Sequence, residues 1–144
     1  MDSTFFATLP QTLLGHNGEV ALTQLPDENE YIGLYFSAHW CGPCRQFTPA
    51  LAEFYKAVNK DKKQVEIIFV SSDHNDADFQ SYFGSMPWIA IPFESDNREL
   101  LGDQYNVQGI PTLLMFDKKG NLVDSNARGT VANKGVNALE SWKK

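Results

Sequence analysis

The 144-residue sequence predicts an α/β domain in which a central mixed β-sheet carries helices on both faces and is extended by an N-terminal β-hairpin. Three observations predict it. Ile32-Gly33-Leu34-Tyr35-Phe36-Ser37 and Val65-Glu66-Ile67-Ile68-Phe69-Val70-Ser71 are apolar on both alternating faces, as strands buried between two layers are. Each run is followed by a segment of helical periodicity, the alternation that builds parallel strands. A later pair of short apolar runs meets at Asp117-Lys118-Lys119-Gly120, adding an antiparallel hairpin.

In chain order, Leu13-Leu14 and Val20-Leu22 flank Asn17-Gly18, a dipeptide that tolerates positive φ and turns a hairpin. After the first buried strand, Phe47, Leu51, Phe54 and Val58 recur at helical spacing, with Pro49 expected to bend the helix without stopping it. Asp76 to Phe83 reads as a short amphipathic helix with Phe79, Tyr82 and Phe83 on one side. Met86 to Phe93 holds two prolines and is expected as an ordered loop, not a central strand. A helix over Asn97 to Tyr105 is expected to turn Leu100 and Leu101 inward. Thr112 to Phe116 and Asn121 to Val123 form the late hairpin, and a terminal helix runs from Asn133 to Trp142.

Apolar residues make up 42% of the chain, enough for one compact domain over residues 1–144 that needs no metal or disulfide staple. Twelve Lys and Arg against 18 Asp and Glu leave a net charge of −6, with no basic stripe, so a nucleic-acid partner is not expected. No apolar run approaches the roughly 20 residues that span a bilayer. Met1-Asp2-Ser3-Thr4-Phe5-Phe6 does not read as a secretory leader, and a soluble cytoplasmic monomer, with nuclear entry open, is the expectation.

The only two cysteines, Cys41 and Cys44, lie in Trp40-Cys41-Gly42-Pro43-Cys44-Arg45, where a buried strand passes into a helix. A loop this short makes a poor staple, so the pair points to chemistry. The first sulfur falls at the helix N-terminus, beside unpaired N–H groups and the positive end of the dipole, and is expected to be thiolate-prone. Cys44, one turn on, is placed to attack a mixed disulfide formed at Cys41 and to release the reduced client. Pro43 suits the first helical turn, and Gly42 is read as keeping the turn sterically open beside the sulfur. Arg45 adds positive charge or is merely solvated, and Trp40 either covers the cysteine pair and offers a flat surface to a client or is a half-buried core aromatic. A zinc site would need two more ligands, and His16, His39 and His74 lack ligand spacing, so no metal or other cofactor is expected.

Trp40-Cys41-Gly42-Pro43-Cys44 together with Gly109-Ile110-Pro111-Thr112 resembles the two hallmarks of the thioredoxin superfamily. The resemblance implies a thioredoxin-like fold in which a cis peptide precedes Pro111, Pro111 lies against the cysteines, and Ile110 presents its backbone to an extended client. Tyr35-Phe36-Ser37-Ala38, Phe47-Thr48-Pro49, Phe54-Tyr55, Val70-Ser71-Ser72-Asp73 and Met86-Pro87-Trp88 are similar to the tryparedoxin and nucleoredoxin branch, so the likeness covers nearly all of residues 13–142.

Three positions depart from these patterns. Small thioredoxins carry a buried aspartate where this chain has Tyr35, which leaves water or Asp73 as candidates to take the proton from Cys44. Gly42 stands where the branch most often has proline. Ser72 and His74 replace the tryptophan and glutamate that tryparedoxins associate with a polyamine–glutathione reductant, while Arg128 matches an arginine of the branch.

The function this implies is a thiol–disulfide oxidoreductase that reduces protein disulfides, with Cys41 as nucleophile and Cys44 resolving. Its partners would be disulfide-containing client proteins and, as electron donor, a reductase or a low-molecular-weight thiol. The alternative is a redox-gated binding module whose dithiol state controls association with a signalling partner.

Overall fold

A computed structural model describes residues 3–143; Met1, Asp2 and Lys144, the ends of the expected domain span, lie outside the described residues. After helix α1 (Ser3–Ala7) come the hairpin strands β1 (Thr12–Gly15) and β2 (Gly18–Ala21), then helix α2 (Gln24–Glu28). Gly18 sits at φ 125°, the left-handed backbone that the Asn17-Gly18 turn requires. The short helices α1 and α2 are not expected from the sequence; at five residues each they are too brief to show a helical period.

The active half of the chain follows the sequence reading closely. Strand β3 (Tyr31–Ser37) leads into α3 (Gly42–Val58), then β4 (Val65–Ser71) and α4 (Asp76–Phe83). Helix α3 runs through Pro49, whose absent N–H costs one hydrogen bond without ending the apolar face. The thioredoxin-like mixed sheet has seven strands in the order β2-β1-β5-β4-β3-β6-β7. Strands β3, β4 and β5 run parallel, and β1, β2, β6 and β7 join by antiparallel pairing.

Three expectations are corrected here. Within the supposed loop Met86 to Phe93, Ile89–Ala90 forms strand β5, paired with β4 on one side and with Leu14 of β1 on the other. Pro87 and Pro92 lie outside those two residues, so neither removes a ladder donor. In α5 (Asn97–Gln104) Leu101 is buried but Leu100 is 53% exposed, because adjacent residues stand about 100° apart on a helix and only one can face the sheet. The terminal helix is broken: after the strands β6 (Thr112–Asp117) and β7 (Leu122–Asp124), α6 (Ala127–Lys134) ends at Gly135, at φ 56°. A 3₁₀ turn then precedes α7 (Ala138–Trp142).

Strand alternation divides the core into two layers. Tyr35, Ile67, Phe69, Leu113 and Met115 face α3, α4, α6 and α7, while Ile32, Leu34, Phe36, Ile68, Val70 and Leu114 face α1, α2 and α5. Gly33 sits under the first layer, where a Cβ would meet Met115 Cε at 3.0 Å. No helix among the described residues is long and apolar enough to cross a membrane.

Candidate active site

The site forms where the carboxyl end of β3 turns into α3. Cys41 is the N-cap of α3, with extended backbone (φ −92°, ψ 112°), and its sulfur accepts the Cys44 N–H at 3.3 Å. One of the helix's unpaired donors is thereby aimed at the sulfur on which negative charge develops during exchange. Cys41 is 7% exposed and Cys44 is fully covered, so a client reaches Cys41 first. Both are free thiols, packed with Ala38 and Ile110.

The second hallmark closes over the pair. Ile110-Pro111 is a cis peptide, and the Ile110 carbonyl accepts from the Cys41 thiol at 3.9 Å. Trp40, 53% exposed, donates its indole N–H to the Ser72 carbonyl at 3.1 Å and stacks on His74. Trp40, His74 and Ile110 line one groove of about 760 Å³ beside the cysteines. Pro43 occupies the first turn of α3 and is exposed. A Cβ at Gly42 would meet nothing within 4 Å, which corrects the steric reading of that glycine.

The remaining sequence-selected residues spread around this centre. Asp73 is buried, with one carboxylate oxygen accepting the His39 N–H and the other the Ser71 hydroxyl, both at 2.7 Å. It ties the loop after β3 to the end of β4, and both its oxygens are taken by donors other than Cys44. Arg45 is exposed, on the rim of a cavity of about 360 Å³ shared with His39, Thr48 and Tyr82. Arg128 is exposed on α6, with its guanidinium 6.0 Å from the Phe47 ring, and borders a second cavity that includes Ile110 and Pro111. Among the described residues no group of three or more His, Cys, Asp or Glu could hold a metal ion.

Sequence reasoning missed the groups packed around Cys44. Tyr35 fills the place of the thioredoxin aspartate, and its hydroxyl lies 2.7 Å from Thr48 Oγ1. Thr48 Oγ1 lies 2.7 Å from the Tyr82 hydroxyl, which lies 2.7 Å from Ser37 Oγ. All four side chains are buried, and Ser37 reaches the Cys44 sulfur. The available signal was polar residues at positions the apolar pattern buries: Ser37 ending β3 and Thr48 on the inner face of α3.

Burial pushes the Cys44 thiol up from 9.0 to about 11, and its hydrogen bond with Cys41 adds to the rise; contacts from Ser37 and the Ala38 backbone oppose it. Folding therefore favours the protonated thiol. That contribution is whole below pH 9.0 and is lost as pH rises toward about 11, because the unfolded chain ionises first. Burial also raises the phenols of Tyr35, Tyr55 and Tyr82, so urea unfolding of the reduced protein at pH 8 and pH 10 should show a fall in stability that is larger in the parent than in Cys44→Ser. An equal fall in both proteins would remove Cys44 as its source.

Comparison with known proteins agrees with this geometry. Residues 29–122 match the family model described as "Thioredoxin-like". The chain is 42% identical to human nucleoredoxin over 122 residues, which is 84% of this chain and 28% of that protein. It thus spans less than a third of the length of the nucleoredoxins it matches. It is 40% identical over 132 residues to tryparedoxin of Trypanosoma brucei brucei, covering 90% of each chain. A solved structure of Trypanosoma brucei tryparedoxin superposes with a TM-score of 0.87 at 38% identity, covering 97% of this chain and 98% of that one. With its cysteines at the start of α3 and its cis-proline loop against them, the chain belongs to the thioredoxin superfamily, in the tryparedoxin and nucleoredoxin-like branch, and Cys41 and Cys44 are its redox pair.

Proposed function

We propose that this chain is a protein-disulfide reductase in which Cys41 attacks and Cys44 resolves. The observation that carries the reading is the asymmetry of the pair: Cys41 lies at the helix start facing the Ile110 carbonyl, while Cys44 is sealed behind it. The Cys41 thiolate attacks a client disulfide, one client sulfur leaves as a thiolate, and a mixed disulfide remains. Cys44 then attacks Cys41's sulfur, the second client thiolate leaves, and the protein carries the Cys41–Cys44 disulfide until a donor returns two electrons.

Ile110 and Pro111 hold the extended client, and Trp40 with Gly42 and Pro43 forms the contact rim. Arg45, Asp73 and Arg128 tune the site from its edges. This domain acts as a monomer of the cytoplasm, with nuclear entry open. Its reading is tested by supplying the oxidised protein with NADPH-linked thioredoxin reductase, glutathione or trypanothione and following reduction of an oxidised protein client. Turnover with at least one donor is expected; none with any donor would overturn the reading.

A second reading is favoured by the half-exposed Trp40 face, held in place by Ser72 and His74. There the dithiol state gates binding of a partner protein. Equal partner affinity of the oxidised, reduced and double Cys→Ser forms would exclude it.

A further inference from the structure

We propose that Ser37 and Tyr82 form a proton exit for Cys44, carrying its proton through the interior to the cavity beside α3 and α4 in place of the absent buried carboxylate. The proposal rests on the reductase reading and concerns its second step alone.

That step needs an exit because of where Cys44 lies. Its side chain is fully covered, so solvent does not reach the proton directly. The titratable groups that face it are Cys41, the N-cap of α3, Tyr35 on β3 and Tyr82 on α4. Beyond them, the His39 ring lies 5.7 Å from the Tyr82 ring, and Asp73 accepts the His39 amide. Asp73 is engaged by the His39 amide and the Ser71 hydroxyl. The Tyr35 hydroxyl meets Thr48 and the Cys44 carbonyl. Ser37 is the hydroxyl that contacts the Cys44 sulfur, and Tyr82 stands 2.7 Å beyond it.

Tyr82 is also where the buried chain meets open space. With Thr48 it lines the cavity of about 360 Å³ rimmed by His39, Arg45, Ser81 and Ser85. A hydroxyl both donates and accepts, so a proton taken at Ser37 Oγ displaces that group's own proton to Tyr82. The phenol in turn releases one to solvent in the cavity, and neither residue holds a net charge before or after. As the proton leaves, Cys44's sulfur bonds to Cys41's sulfur, the Cys41–client bond breaks, and the departing thiolate takes its proton from solvent. Two electrons pass from Cys44 and Cys41 to the client over the cycle. Thr48 is the positioning residue: its hydroxyl donates to the Cys44 carbonyl at 2.8 Å and lies against both tyrosine hydroxyls.

The aromatic disulfide probe 5,5′-dithiobis(2-nitrobenzoate) separates the two steps, since attack by Cys41 releases one coloured thiolate and resolution by Cys44 releases the second. In stopped-flow with reduced Ser37→Ala and Tyr82→Phe, the first phase is expected within twofold of the parent. The second is expected to slow at least about tenfold at pH 7, with the deficit shrinking at pH 10, where a larger share of Cys44 is already ionised before the step begins, and with a smaller solvent isotope effect. A second phase within twofold of the parent in both variants, or a loss of equal size at pH 7 and pH 10, would overturn the exit. Absence of the first phase in the parent protein would overturn the reductase reading and the exit with it.

Discussion

Replacing Cys41 by serine lowers reduction of an oxidised protein client by at least about 10⁴-fold, while the unfolding midpoint of the reduced protein moves little. A serine hydroxyl at the same helix start is a far weaker nucleophile than a thiolate and forms no disulfide. Cys44 cannot take over. It is fully covered, and with its thiol raised to about 11 only on the order of one molecule in 10⁴ carries the anion at pH 7. Assay of the purified variant against the parent checks this, and residual turnover above about a tenth of the parent would show that Cys44 attacks clients on its own.

Phe69→Ala is expected to cost about 3–5 kcal/mol, a large share of the roughly 5–15 kcal/mol that holds a domain folded. Phe69 is fully buried in the middle of β4, between β3 and β5. Its ring stacks on Phe79 at 5.7 Å, meets Tyr82 edge-on at 5.4 Å, and lies 6.5 Å from both Phe83 and Tyr35. Truncation opens a cavity that four rings and a rigid strand cannot collapse to fill. The exposed Leu100→Ala serves as its counterpart and should stay within about 0.5 kcal/mol. Urea midpoints measure both, and a Phe69→Ala loss below about 1.5 kcal/mol would contradict the packing described here.

Long periodic segments were readable because their patterns extend over many residues: β4 and α4 have the bounds the residues predict, and α3 carries the apolar face of Phe47, Leu51, Phe54 and Val58. Short elements were not. Ile89–Ala90 offers two residues to a pattern that needs four or more, and its place in the sheet is set by β1 and β4, which are distant in sequence. The terminal helix read as continuous because its apolar residues keep helical spacing across Gly135, whose backbone conformation the spacing does not reveal.

At the site, local reading reached what is local. Cys41, Cys44 and the strand-to-helix turn are contiguous, and the Ile110-Pro111 loop was legible only by resemblance. The environment of Cys44 is assembled from β3, α3 and α4. Thr48 and Tyr82 are 34 residues apart, and nothing in either segment announces that their hydroxyls lie 2.7 Å apart. Asp73 was drawn toward Cys44 by its position at the end of a neighbouring strand, whereas its carboxylate serves the His39 amide and Ser71.

The order of attack is tested most directly by trapping. Cys44→Ser and Cys41→Ser, each mixed with one oxidised protein client at pH 7 and quenched with acid, are resolved by intact mass. A covalent adduct of protein and client, joined at Cys41, is expected in Cys44→Ser, and almost none in Cys41→Ser. Equal adducts in the two variants, or a greater yield in Cys41→Ser, would contradict that order.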